Sequence, residues 1–366
     1  MAQWSEREQR FMLEALELAF KGCGLVSPNP MVGAVLVKQH RVVGRGYHRR
    51  FGSAHAEIEA IRAAGRDALG ATLYVTMEPC CFQGKTPACT DALVQAGIKR
   101  VVAAMIDPNP KVNGKGLRCL RNHGIKVEVG LLEAEARRLN EAYITYLTEH
   151  RPFVILKVAQ SLDGMMATDG GESQWITGER ARAAGQFLRL MSDAVLVGVN
   201  TVLADNPRLT CRLNKEKKLM RVVLDCNLRI KEQSRLFSEP GAVVIFTASR
   251  QEQRIRKLER TGAEVIRVRE EKRGILNWQD ILNELYHRQI TSVLIEGGAT
   301  VVSSSLEAGI VDKAYFFLAP KVLGPGKLFS QGIAPRDLKR ALSLKDVRHI
   351  KLGEDMLIEG YVYRFS

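Results

Sequence analysis

The sequence predicts an α/β protein built as two domains, and three observations carry that reading. Apolar, β-branched runs alternate with helical patterns along the whole chain. At 366 residues the chain is long for one compact core. At His150 one helical pattern stops, and RPFVILKVAQSLDG opens a new strand in which Pro152 limits helix continuation. The expected domains are therefore residues 1–150 and 151–366.

The elements follow in order. Ser5 and Glu8 have the spacing of a capping box, and Phe11, Leu13, Ala15, Leu16 and Ala19 give the first helix its apolar face. MVGAVLV and RVVGRGY read as a hairpin. HAEIEAIRAAG is a helix, TLYVT a strand, CTDALVQAG a helix and RVVAAM a strand. IKVEVG follows, and then one long helix from about Glu133 to Glu149. This order predicts an α/β sandwich with a mixed sheet. Beyond the boundary come strands at DAVLVGV, RVVLD, AVVIF, AEVIRV, SVLIEGG and VDKAYFF, with helices near 251–261 and 277–288.

Composition bounds the class. The chain is 46% apolar and 26% charged, and no run approaches the roughly 18 apolar residues of a membrane span. The opening MAQWSEREQRF is charged in both signs and has no signal-type apolar core, so a cytoplasmic location is expected. A net charge of +14 invites a nucleic-acid partner. The excess is diffuse, however: residues 1–150 hold 20 of the 54 basic and 15 of the 40 acidic side chains, with no long basic run interleaved with aromatics. A phosphorylated small substrate accounts for it as well, and no nucleic acid or membrane partner is expected. Seven cysteines, three of them at 80, 81 and 89, argue for metal binding over a disulfide framework.

The metal ligands are His55, Cys80 and Cys89. His55-Ala56-Glu57 heads a helix, Pro79-Cys80 lies 23 residues past Glu57, and Cys89 opens another helix. One imidazole and two thiolates suit tetrahedral zinc, and three protein ligands leave a fourth position for water. Zinc lowers the pKa of such a water toward 7, and Glu57 is placed to take its proton and then to deliver protons to a ring nitrogen and the leaving ammonia. Zinc deaminases share the pattern H-x-E…P-C-x-x-C, which this chain departs from with C-x8-C. On spacing alone Cys81 competes as a ligand; Cys80 is favoured because it directly follows Pro79.

PNPMVGAVLV, GRGYHRRFGSAHAEIEA, VTMEPCCFQGKTPACTDALVQAGIKRVV and DPNPKVNGKGL together resemble the deaminase domain of the bifunctional riboflavin-biosynthesis deaminase/reductase family. In that family the long cysteine spacing with a Gly-Lys-Thr-Pro insert is the usual form. The resemblance implies a cytidine-deaminase-like α/β/α sandwich. It also implies a diaminohydroxy-phosphoribosylaminopyrimidine substrate that loses its ring 2-amino group. Asn29 would then hold the pyrimidine, and His48 and Lys85 would meet its phosphate.

In the second half, IEGGAT after an apolar strand has the form of a phosphate turn at a helix N-terminus, although no G-x-G-x-x-G is present. With KVAQSLDGMMA, GESQWITG and GVNTVLADNPRLTCR it resembles the reductase domain of the same family, which has a dihydrofolate-reductase-like α/β fold. The resemblance implies NADPH as cofactor and hydride transfer to C1′ of the ring-opened ribose. Ala159, Trp175, Thr201, Asp205, Gly297, Gly298, Ala299 and Thr300 would contact NADPH. Ser173, Arg189, Leu209, Arg212 and Glu296 would contact substrate, with Lys157 and Asp163 beside them. It further implies a homodimer paired through the reductase domain. Two other readings compete: a nucleic-acid deaminase with an RNA-binding appendage, and a scaffold in which zinc only holds the fold.

Overall fold

The computed structural model describes residues 4–83, 87–330 and 341–363. It divides into two units, Met1–His150 and Arg151–Ser366.

The first unit runs α1 (Glu6–Phe20), β1 (Gly33–Lys38), β2 (Arg41–Tyr47), α2 (Ala56–Ala64), β3 (Thr72–Val75), α3 (Cys89–Gln95), β4 (Arg100–Ala103), α4 (Lys115–Asn122), β5 (Lys126–Val129), α5 (Glu133–Leu139) and α6 (Glu141–Glu149). Its sheet has the order β2-β1-β3-β4-β5, antiparallel at β2-β1-β3 and parallel from β3 to β5. Side chains alternate along β1: Ala34 and Leu36 pack with α2, α3 and α4 on one face, Val35 and Val37 with α1 and α6 on the other. The result is the mixed-sheet α/β/α sandwich expected.

Two details differ from the sequence reading. The single helix expected over Glu133–Glu149 is two, broken at Asn140, whose φ of −114° and ψ of 23° leave the helical region. Buried Asn140 accepts from the Met31 N–H at 2.8 Å and donates to the Met31 carbonyl at 3.0 Å. That distant pairing with the first loop offsets the lost helical turn. Helix α4 was not anticipated at all. Its N-cap is Gly114, which offers no side chain, and the capping acid is Glu78 from another part of the chain.

The second unit runs β6 (Phe153–Gln160), β7 (Met165–Thr168), α7 (Glu179–Met191), β8 (Ala194–Gly198), α8 (Val199–Asp205), β9 (Met220–Leu224), β10 (Val243–Thr247), α9 (Glu252–Glu259), β11 (Glu264–Arg267) and the short pair β12 (Glu270–Lys272) and β13 (Ile275–Leu276). It continues α10 (Trp278–His287), β14 (Ser292–Gly297), α11 (Ala299–Glu307), β15 (Lys313–Leu318), β16 (Gly326–Leu328), β17 (Ser343–Leu352) and β18 (Asp355–Tyr363). The nine-stranded sheet has the order β11-β10-β9-β8-β14-β6-β15-β18-β17, parallel as far as β15 and antiparallel beyond. Such sheets bind ligands outside the carboxyl ends of their parallel strands. The hairpin β17–β18 and helix α7 were not placed by the sequence reading. No helix among the described residues is long and apolar enough to cross a membrane.

Candidate active sites

The deaminase-type site depends on how closely α2 sits against β2. A Cβ on Gly44 would lie 2.3 Å from the Ala60 carbonyl oxygen, and one on Gly46 2.1 Å from that of Ala56. The two glycines of GRGY therefore let the helix backbone rest on the strand, which fixes His55 at the N-cap and Glu57 in the first turn. Cys80 follows β3, and Cys89 opens α3 with its N–H donating to the Cys80 sulfur at 3.4 Å.

The His55 nitrogen and the Cys80 and Cys89 sulfurs lie within 4.8 Å of one another, with Nδ1 of His55 3.3 Å from Sγ of Cys89 and 3.6 Å from Sγ of Cys80. This is a ligand set and spacing that fits one tetrahedral zinc. Hydrogen bonds, first from Cys89 and then from His55, hold the Cys80 thiol well below the usual thiol range, which favours the thiolate that zinc requires. Glu57 is 3% exposed, and burial pushes its carboxyl up to about 7. Cys81 points elsewhere, its sulfur 3.9 Å from the Lys111 carbonyl oxygen. Geometry thus chooses Cys80. Accordingly, Cys80→Ser should lose zinc and ammonia release together, whereas Cys81→Ser should keep stoichiometric zinc; loss of metal from the Cys81 variant would reverse the assignment.

Around these ligands is a cavity of about 220 Å³, lined by Asn29, His48, Glu57, Glu78, Phe82, Asp107 and Tyr143 among others. Asn29 Nδ2 is 3.1 Å from His48 Nε2, and His48 Nδ1 is 3.2 Å from the Ala54 carbonyl oxygen. Both ring nitrogens of His48 are therefore engaged, and its burial lowers its pKa and favours the neutral ring. Lys85 lies outside the described residues.

The sequence reading assigned no role to Glu78. Its buried carboxylate accepts four backbone N–H groups, from Asp107 (3.2 Å), Gly114 (2.8 Å), Gly116 (2.9 Å) and Leu117 (3.2 Å). It joins the N-terminus of α4 to the loop that carries Cys80, where a negative charge is favoured. The signal was present in TMEPCC, but a carboxylate's distant donors are invisible in sequence. Gly116 allows this approach: a Cβ there would lie 2.1 Å from the Pro79 carbonyl oxygen. Gly116→Ala should displace Pro79 and Cys80 and weaken zinc binding about tenfold in a chelator competition, in the range seen for groups that support metal ligands; an unchanged affinity would refute this coupling.

In the second unit, a cavity of about 950 Å³ lies along the carboxyl ends of β6, β8, β9 and β14. Its lining includes Ala159, Ser173, Trp175, Arg189, Thr201, Asp205, Leu209, Arg212, Glu296, Gly297, Gly298, Ala299 and Thr300, so the structure gathers the residues the sequence reading named for the cofactor and its substrate, Asp163 excepted. Gly298 has φ of 81°, and a Cβ there would lie 3.3 Å from Oγ1 of Thr201. No side chain caps α11, which begins at Ala299. An open glycine turn before an uncapped helix N-terminus fits the phosphates of a dinucleotide.

Arg189 and Glu296 form a buried two-pronged pair, Nε to Oε1 at 2.6 Å and Nη2 to Oε2 at 2.7 Å, while Nη1 donates to the Thr210 carbonyl at 2.9 Å. The guanidinium edge suited to a phosphate is thus occupied by Glu296. Lys157 lines the same cavity, and burial lowers its pKa. Trp175 is 63% exposed with the Arg182 guanidinium over its ring at 4.8 Å, so it is a wall of the cavity and not a core residue. Asp163 instead accepts from the Leu323 and Gly324 N–H groups and anchors a loop.

Comparison with known proteins agrees with both sites. Residues 5–105 match the cytidine and deoxycytidylate deaminase zinc-binding region, and residues 152–358 match the RibD C-terminal domain. The riboflavin biosynthesis protein RibD of Aquifex aeolicus is 42% identical over 354 residues, covering 96% of this chain and 98% of that protein. That of Bacillus amyloliquefaciens is 43% identical, covering 95% and 92%. The Acinetobacter baumannii RibD structure superposes with a TM-score of 0.89 at 37% identity, covering 98% of this chain and 99% of its own. A Thermotoga maritima structure, described as a diaminohydroxyphosphoribosylaminopyrimidine deaminase/5-amino-6-(5-phosphoribosylamino)uracil reductase, gives 0.85 at 40% identity with the same coverage. With a His-Cys-Cys zinc site in one unit, a large cavity at the carboxyl ends of the parallel strands in the other and this likeness along its length, the chain belongs to the RibD family of bifunctional deaminase/reductases of riboflavin biosynthesis.

Proposed function

We propose that residues 1–150 deaminate 2,5-diamino-6-(phosphoribosylamino)pyrimidinone at C2 and that residues 151–366 reduce the ribosyl side chain of the product to ribityl. The observation that carries this is the placement of Glu57 in the same cavity as His55 and Cys80. Zinc held by His55, Cys80 and Cys89 would acidify a water. Glu57 takes that proton and gives it to the ring nitrogen, then carries the proton of the newly added C2 hydroxyl to the amino group, which departs as ammonia. Asn29, held by His48, orients the ring, and Lys85 is the candidate for the phosphate end, since His48 is neutral with both ring nitrogens engaged.

For the second step, Gly297, Gly298, Ala299 and Thr300 would hold the phosphates of NADPH, with Ala159, Trp175, Thr201 and Asp205 along the rest of its path; when bound, it would supply the hydride. Glu296 accepts from ring N–H groups, Arg189 fixes Glu296, and Ser173, Leu209 and Arg212 complete the substrate side. Positioning of the two reactants supplies much of the rate.

Two copies are proposed to pair through the reductase unit. The ten-residue β17 is an edge strand with Val347 and Ile350 about two-fifths exposed, which supports such pairing. The absence of disulfides among the seven cysteines supports the cytoplasm as location. The protein should release ammonia from the phosphoribosylaminopyrimidine without NADPH and consume NADPH only once ammonia has been released. Robust ammonia release from cytidine- or adenosine-containing RNA instead would overturn the reading.

A further inference from the structure

We propose that Arg182 is a positioning residue for the cofactor: its guanidinium, stacked on the Trp175 indole, holds that ring in place as the wall against which NADPH docks. The assignment rests on the reductase reading above and adds to it a residue that acts through Trp175.

Trp175 is an exposed aromatic on the loop that leads into α7, and it lines the reductase cavity. The backbone of that loop is fixed at three points. Lys321 Nζ donates to the Trp175 carbonyl at 3.0 Å, Arg182 Nη1 to the Thr177 carbonyl at 2.7 Å, and the Gly178 N–H to Asp355 at 2.7 Å. Ile176 and Thr177 are buried between these anchors. None of the three bonds reaches the indole. The Arg182 guanidinium does, with its carbon 4.8 Å from the ring centroid.

Helix α7 turns one face to the cavity, with Arg182, Gly185, Gln186 and Arg189 at the i, i+3, i+4 and i+7 spacing. Two polar side chains on that face have partners that account for them: Arg189 grips Glu296, and Gln186 accepts the Arg212 N–H at 2.9 Å. Arg182 is the third. Half-buried, it reaches back past the start of the helix and lies on Trp175. An exposed indole left to itself samples several rotamers, and ordering it when a ligand arrives costs affinity. A cation drawn to the π face meets that cost beforehand. With the guanidinium on one face of the indole, the other is left for a flat ring of the cofactor.

Calorimetric titration of the full-length zinc protein with NADPH tests this, because it reads binding without turnover. Arg182→Met keeps the length of the side chain and removes its charge, and Kd for NADPH should rise about fivefold. Arg182→Lys keeps a cation for the ring and should stay within about twofold of wild type. Trp175→Leu should itself weaken binding about tenfold. In that background Arg182→Met should cost nothing further, since its effect passes through the indole. At saturating NADPH, KM for the deaminated substrate should not move. An equal loss from Arg182→Met in both backgrounds would show the guanidinium acting on the cofactor without the indole. A full loss shared by Arg182→Lys would assign the effect to the bond with Thr177, and no loss at all would leave Arg182 without the role. Each of these overturns the assignment while the reductase reading stands. Failure of the wild-type protein to bind NADPH would overturn both.

Discussion

Glu57→Gln should reduce ammonia release by about 10³-fold, the middle of the range for loss of a general acid–base group. The side chain keeps its size, and neither His55, Cys80 nor Cys89 is altered, so zinc should remain stoichiometric. What is lost is a group able to take a proton from water and give it to the ring nitrogen. Glu57 sits in the first turn of α2, two residues from His55, and lines the same cavity as His55 and Cys80. No other residue has been assigned that double duty. Supplied with the deaminated compound directly, the variant should consume NADPH at the wild-type rate. Full ammonia release with zinc bound would show that the metal only holds the fold.

The second large effect belongs to the reductase unit. Arg189→Leu strands the Glu296 carboxylate in a site where the pair's side chains are only 16% and 10% exposed. Breaking a buried pair from one side costs about 3–5 kcal/mol, because the remaining charge stays desolvated. For a unit of this size that corresponds to a fall of about 10 °C in unfolding temperature. Arg189→Leu combined with Glu296→Leu should recover most of the stability, since the cationic group left beside the two apolar side chains is Lys157, whose burial already lowers its pKa and so disfavours its charged form. It should not recover NADPH oxidation, because Glu296 is also the residue proposed to accept from the substrate's ring N–H groups. Thermal unfolding and NADPH consumption of the single and double variants decide this, with ammonia release as the control. A single variant that melts with wild type, or a double variant no more stable than the single, would refute it.

How much was legible in sequence depended on how far each residue's partners lie along the chain. Helix α1 was readable because its cap is local: Ser5 accepts from the Glu8 N–H, and the Glu8 carboxylate accepts from Ser5. Helix α4 was not, because Gly114 is capped by Glu78, 36 residues away. Helix α7 likewise starts at Gly178, whose N–H is held at 2.7 Å by Asp355, 177 residues on. The break at Asn140 has the same origin, in a bond to Met31 109 residues earlier.

The sites divide in a similar way. His55, Glu57, Cys80 and Cys89 were legible because zinc chemistry demands particular residue types in a short span, and that demand is written into spacing. The strand pattern of both units was legible too, since burial on a sheet repeats every second residue or fills a whole run. Only the tertiary structure decided between Cys80 and Cys81, since adjacent side chains point apart and spacing cannot say which way. It also paired Arg189 with Glu296, and brought Glu78, Asp107 and Tyr143 to the deaminase cavity. Those roles rest on distances between segments far apart in the chain, which local pattern does not encode.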